Sequence, residues 1–512
     1  MENIGDLMHG FQVALTGYHL MLMVAGVLFG ILVGVLPGLG APNGVTLLIP
    51  LTFSMDPVSA IILLASMYWG ALFGGSTTSI LFNIPGEPSS VATTFDGHPM
   101  ARDGRSEEAL TAAFTSSFVG ALVAVIMITF LAPLVAKFAL QFSPVEFFAV
   151  FFLTFASFIG MSRGTPFKVV VAMSLGFVLG AVGLDKMTGT LRLTFGHAEL
   201  LSGFDFLIAV IGLFGIGEIL CSIEDGLSFK GNTGKLHFRK VIDTWKKLPS
   251  YWVTSLRSCL VGCWMGITPG GATPASFMSY GLAKRFSRNG NNFGKGEIEG
   301  VIAPETAAHA AGTAALLPML TLGIPGSPTA AVLLGGLMIW GLQPGPMLFI
   351  EQHDFVWGLI ASMYLGNVVG LLIVLTCVPL FAAILRVPFP IIAPIILVVC
   401  AIGAYTVHNS MFDVWVMLAF GIVGYLMKKA GFDPGPMVLV FVLGSIIESS
   451  TRRSLLIFGG DPTGFVTRPI SGVILGIFVL LIVLPMVRHV RNSRAAARTS
   501  DQKSTQMDKL GV

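Results

Sequence analysis

Apolar positions run along this chain in long unbroken blocks, not in the two-residue alternation of a half-buried strand. A helix that crosses a bilayer needs about 20 apolar residues. Blocks of that order lie at 20–36, 57–75, 110–135, 144–162, 166–184, 204–223, 251–267, 306–322, 356–381, 388–404, 411–429 and 467–487. Shorter blocks at 43–53, 79–85, 271–283, 328–340 and 435–447 cannot cross alone. The pattern predicts an all-α polytopic membrane protein, with about 12 transmembrane helices plus half-length, re-entrant pieces.

Composition sharpens this. Of 512 residues, 54% are hydrophobic and 11% charged, with a net charge of +3. A soluble domain carries about 25% charged residues. A soluble enzyme and a disordered chain are excluded. So is a nucleic-acid partner, because no basic surface exists to neutralise phosphates. Cys221, Cys259, Cys263, Cys377 and Cys400 all lie in apolar stretches, which argues against a disulfide framework. The first Lys or Arg is Arg102, so no secretory leader is expected.

The longest polar interruption, 224–250, carries Lys230, Lys235, Arg239, Lys240, Lys246 and Lys247. The tail from 488 to 512 carries Arg488, Arg491, Arg494, Arg498 and Lys503. Basic loops stay cytoplasmic, so both should face that side. The expected organisation is a membrane repeat over 1–223, a cytoplasmic linker over 224–250, a second membrane repeat over 251–487 and a basic tail over 488–512.

The repeat rests on two motifs. Gly34-Val35-Leu36-Pro37-Gly38-Leu39-Gly40-Ala41-Pro42 and Gly266-Ile267-Thr268-Pro269-Gly270-Gly271-Ala272-Thr273-Pro274 share a G-x-x-P-G-x-x-x-P pattern, 232 positions apart. Ile84-Pro85-Gly86-Glu87-Pro88-Ser89 and Ile324-Pro325-Gly326-Ser327-Pro328-Thr329 share I-P-G-x-P-[S/T], 240 positions apart. Two motifs recurring in order mark duplicated halves. Segment 52–58 has no basic residue, whereas its counterpart 284–295 has Lys284, Arg285, Arg288 and Lys295. Segment 97–108 has Arg102 and Arg105, whereas its counterpart 342–355 has no Lys or Arg. The bias switches sides both times, so the halves should have inverted topology.

Proline and glycine within apolar segments break helices. Broken backbone survives in a membrane only where protein or a wet cavity covers it. Gly/Pro-interrupted segments at matching places in two halves point to a transport site, where half-helix N-termini suit a carboxylate. Hydroxyl and amide groups gather there. The candidate substrate contacts are Gly38, Gly40, Asn43, Thr77, Thr78, Ser79, Asn83, Gly86 and Ser89 in the first half. In the second they are Thr268, Gly270, Gly271, Thr273, Ser276, Gly326, Ser327 and Thr329. Ser76, Ser90, Thr93 and Thr94 lie beside them. The competing explanation is that small residues merely let helices approach closely.

Intramembrane ionisable residues are functional candidates by default. Glu305 and His309, four apart, share one helical face and could couple an ion; interfacial placement and half of a metal site are the alternatives. No Walker motif is present. No serine, base and orienter stand at a readable spacing, so an intramembrane hydrolase is the weaker alternative. A passive anion channel is another.

Several runs match a known family. They are residues 34–40, Asn83 to Ser90 followed by Phe95-Asp96-Gly97-His98-Pro99, Phe293 to Gly300 with Ala303-Pro304-Glu305, and Leu322 to Pro328. Leu342 to Pro346, and Arg453-Ser454-Leu455-Leu456 with Gly459-Gly460-Asp461, also fit. From about 20 to about 470 the chain resembles the large membrane (permease) subunit of the tripartite tricarboxylate transporter (TctA) family. The resemblance implies a bacterial inner-membrane permease completed by a small membrane subunit and a periplasmic solute-binding protein. It implies symport of carboxylate-type organic anions with Na⁺ or H⁺, with no other cofactor. The glycine–proline loops are then the substrate and ion candidates, and bulky replacements of Gly38, Gly86, Gly270 or Gly326 should abolish uptake.

Overall fold

In the computed structural model the described residues are 2–36, 39–161, 166–185, 187–225, 237–268, 271–384 and 389–480. The first half of the chain runs α1 (Glu2–Ala14), α2 (Gly17–Val35), α3 (Gly40–Leu48), α4 (Pro57–Phe82), α5 (Val91–Arg102), α6 (Ser106–Ala139), α7 (Pro144–Met161), α8 (Pro166–Gly180), α9 (Phe206–Val210) and α10 (Gly217–Asp225). Next come α11 (Phe238–Lys247), α12 (Trp252–Ile267), α13 (Ala272–Phe286), α14 (Glu299–Ala314), α15 (Leu316–Leu322) and α16 (Pro328–Ile339). The remainder is α17 (Leu348–Glu351), α18 (His353–Ile384), α19 (Phe389–His408), α20 (Met411–Lys429), α21 (Pro434–Ile457) and α22 (Gly464–Thr467). The only strands among the described residues are two-residue pieces, Gly183–Leu184 paired antiparallel with Leu191–Arg192. Seven described helices are long and apolar enough to cross a membrane, and shorter apolar helices accompany them. The chain is an all-α polytopic membrane protein.

By contacts it divides into two compact units. One holds residues 1–141 and 167–445, the other 142–166 and 446–512. In the larger unit the close helix pairs include α2 with α4 and α12 with α14. Both pairs approach through glycine. A Cβ on Gly30 or Gly34 would fall 2.1 or 2.0 Å from the carbonyl oxygen of Met67 or Ala71. A Cβ on Gly262 or Gly266 would fall 2.5 or 2.4 Å from that of Ala307 or Ala311. Small residues that let backbones touch are how helices associate where apolar burial drives nothing. In the smaller unit Phe148 packs on Phe465 at 4.4 Å, and Arg468 reaches Glu146 at 3.5 Å.

One element differs from the sequence pattern. The block 57–75 and the start of the block 79–85 are a single helix, α4, capped by Asp56 and ended by Asn83 at φ 58°. Gly74, Gly75 and Ser76 interrupt the apolar run without interrupting the helix. Neighbouring backbone fills the space their side chains leave: Ile31 and Gly34 lie against Gly74, and Glu87 lies against Gly75.

Candidate functional site

Glu305 sits on α14, whose residues from Gly300 to Ala314 are all buried. Its carboxylate accepts from three hydroxyls on three other helices. Ser76 on α4 donates at 2.6 Å, Thr93 on α5 at 2.5 Å and Ser117 on α6 at 3.1 Å. The only ionisable side chain bridging to it among the described residues is His309, whose Nδ1 lies 3.8 Å away. Nδ1 also lies 3.3 Å from the Glu305 carbonyl oxygen, which fits a neutral ring protonated on that nitrogen. Nε2 is then an acceptor; it is buried and has no hydrogen-bond partner among the described residues. Phe73 covers the ring at 4.6 Å. A carboxylate buried among neutral donors is costly as a bare anion. A proton or a monovalent cation would relieve that cost. No group of three or more His, Cys, Asp or Glu that could hold a metal ion occurs among the described residues.

The two repeated motifs fold alike. Asn83 and Gly323, 240 positions apart, both end a helix in the left-handed conformation, at φ 58° and 69°. Past them Ile84 N–H donates to the Thr78 carbonyl, and Ile324 N–H to the Pro318 carbonyl, again 240 apart. Each turn delivers a glycine onto the other motif of its own half. A Cβ on Gly86 would stand 1.9 Å from the Gly34 oxygen, and one on Gly326 would stand 2.5 Å from the Gly266 oxygen. The turns place Glu87 against the start of α3 and Ser327 against the start of α13. From α4 the buried Tyr68 hydroxyl lies against Ser327 and Thr329 and near Glu87. The paired loops therefore converge on Tyr68.

Gly38 and Gly270 lie outside the described residues. Gly40, Asn43, Gly86 and Ser89 in the first half, and Gly271, Gly326, Ser327 and Thr329 in the second, are buried at this convergence or within the helices that start there. Thr77, Thr78 and Ser79 are buried on the last turns of α4; Thr78 bonds the Gly75 carbonyl and Ser79 bonds Ser90. Asn83 is exposed and serves the turn. Ser276 is buried, and its hydroxyl has no hydrogen-bond partner among the described residues. Thr268 and Thr273 are half-buried, and Thr268 bonds back to Trp264 within its own helix. Glu305 and His309 form a separate buried cluster around Ser76.

Three side chains here were not singled out by sequence spacing. Ser117 and Tyr68 sit in ordinary apolar helices, without a motif. Asp96 is fully buried, and its Oδ1 accepts from four consecutive backbone N–H groups: Gly294 (2.8 Å), Lys295 (3.1 Å), Gly296 (2.9 Å) and Glu297 (2.9 Å). Its Oδ2 takes the Tyr280 hydroxyl at 2.9 Å. This fastens α5 to the loop before α14, and so fixes Thr93 one turn away beside Glu305.

Comparison with known proteins agrees with this architecture. The model of the tripartite tricarboxylate transporter TctA family matches residues 20–439. An uncharacterized 52.8 kDa protein in the TAR-I ttuC' 3' region of Agrobacterium vitis is 37% identical over 498 residues, 96% of this chain and 98% of that one. An uncharacterized protein in the TAR-II ttuC' 3' region of the same organism is 38% identical over 234 residues, 46% of this chain and 97% of that one. No solved structure matches. With the family pattern spanning most of its length and a relative aligned nearly end to end, the chain belongs to the tripartite tricarboxylate transporter TctA family.

Proposed function

We propose that this chain is the permease that moves a carboxylate-type organic anion into the cell across the bacterial inner membrane. Na⁺ or H⁺ drives it, a periplasmic solute-binding protein feeds it, and a small membrane subunit completes it. The substrate binds where the paired loops converge, between α3, Ser89 and the end of α4 on one side and α13, Ser327 and Thr329 on the other. The coupling ion is held at Glu305 with His309. The observation that carries this reading is the Glu305 carboxylate, buried on one half and held by neutral hydroxyls of the other. Such a group exchanges a proton or cation at little structural cost, and intramembrane carboxylates mark ion pathways.

Sidedness supports inverted halves. Residues 96–108 meet the loop residues 294–297 through Arg105 to the Gly296 carbonyl at 3.1 Å and through the Asp96 bonds. Glu108 also meets Lys247 at the end of the linker. Across the repeat the counterpart of 97–108 is 342–355, and Asp354 there pairs with His9. Val58 lies against Gly358. Non-equivalent loops of the two halves thus share an end, as inversion requires. The basic end faces the cytoplasm under the positive-inside rule.

The test is uptake into vesicles containing the permease, its small subunit and its binding protein, with labelled citrate. Unlabelled citrate inside should accelerate entry of the label, because a carrier exchanges and a channel does not. E305Q keeps an acceptor oxygen for the hydroxyls but removes the titratable proton and the negative charge that would hold a cation. It should lose gradient-driven accumulation by on the order of tenfold or more. Entry of the label at one rate with or without internal citrate would replace the carrier with a passive channel.

A further inference from the structure

In the first half, the start of α3 is occupied by a carboxylate of the chain itself. Glu87, 5% exposed, accepts from the Ala41 N–H, and its two oxygens lie 3.6 and 3.7 Å from where Gly40 would carry a Cβ. It fits there because Gly75 leaves the space; a Cβ on Gly75 would stand 2.8 Å from that of Glu87. A helix start presents free N–H groups and partial positive charge, so a carboxylate is well placed on it.

The second half repeats this arrangement with the carboxylate missing. By the 240-position offset Ser327 stands for Glu87, and by the 232-position offset Thr273 stands for Ala41. Ser327 is seated at the matching helix start, its Cβ 3.3 Å from where Gly271 would carry one. Its hydroxyl is committed to the Ala330 N–H at 3.1 Å, and the residue before α13, Gly271, has no side chain to cap it. The Ser276 hydroxyl, about one turn into α13 and fully buried, has no hydrogen-bond partner among the described residues. Tyr68 brings a further hydroxyl against Ser327. Among the described residues, the first half therefore has an acidic group on the helix start where the second half has a serine.

We infer that the fold contains two matching seats for a carboxylate, one permanently filled by Glu87 and one kept open by Ser327 for a carboxylate of the transported anion. Glu87 is thereby a specificity-determining residue. It withholds the first seat from substrate and confines the anion to the start of α13, with Tyr68 and Ser327 beside it. This rests on the carboxylate-uptake reading, and the experiment separates the two.

The full chain is purified in detergent as wild type, S327A, S327E and the double variant E87S/S327E, with citrate and succinate as probes. Melting temperature is read without probe, and binding is read by titration. S327E should melt above S327A, because the new carboxylate caps α13. It should also bind citrate on the order of tenfold more weakly than wild type, since the seat is taken. E87S/S327E vacates the first seat and should regain most of that binding. S327E melting at or below S327A, or binding citrate like wild type, overturns the open seat. A double variant no better than S327E overturns the part given to Glu87. A wild type that binds neither probe while S327E still melts higher leaves the seat standing and overturns carboxylate uptake.

Discussion

Gly86 is where the smallest change has the most definite consequence. Its missing side chain lets the turn lie on the Gly34 carbonyl, so even a methyl group would stand 1.9 Å from that oxygen. Overpacking of this kind costs about 1–3 kcal/mol. G86A should therefore lower the melting temperature, and G326A should do the same less severely, because its closest backbone oxygen is 2.5 Å away. Lost uptake in these two variants alone would not show that glycine touches substrate; melting curves beside uptake assays separate the effects. The sequence marks these glycines through their repeated spacing. It cannot mark what each one rests on, because the partner is main chain 52 or 60 positions away (Gly34 from Gly86, Gly266 from Gly326). The same blindness hid Tyr68 and Ser117. A lone tyrosine or serine in an apolar helix reads as packing, and only the approach of another helix gives its hydroxyl a role.

Elements show where periodicity suffices and where it fails. The spacing of Glu305 and His309 places both on one face of α14, and there they are, sharing a buried cluster. That three other helices each contribute a hydroxyl to it follows from tertiary packing, which no local pattern encodes. The apolar run over 57–85 was divisible by its glycines, yet α4 continues through them because α2 and Glu87 fill the missing volume. The joint between α5 and the loop before α14 belongs to this scale. D96A would strand four backbone N–H groups that now share one oxygen. Each unsatisfied buried donor costs about 1–3 kcal/mol. D96A should lose most of its folded yield, and D96N, which keeps one acceptor oxygen, should recover part of it. Fluorescence-detected size exclusion of the two variants would check this order.

For the molecule as a whole, the testable quantity is which end faces which compartment. N289C lies in the basic loop after α13 and Q343C in the acidic segment after α16, and both positions are exposed. An impermeant maleimide added to intact spheroplasts should label Q343C and leave N289C untouched until the membrane is opened. The reverse result would invert the orientation given by the positive-inside rule. Hydrophobic blocks made the membrane class legible, and the repeated motif spacing made the paired turns legible. The contact of Asp96 and Arg105 with residues 294–297 was not, because it depends on tertiary packing. The Asp96 joint has a practical corollary. Every N–H it gathers from residues 294–297 is main chain, so the side chains of Lys295 and Glu297 contribute nothing to that attachment. A dye or affinity handle could replace the exposed Lys295 without loosening the joint, giving a reporter rigidly coupled to the helix that bears Thr93.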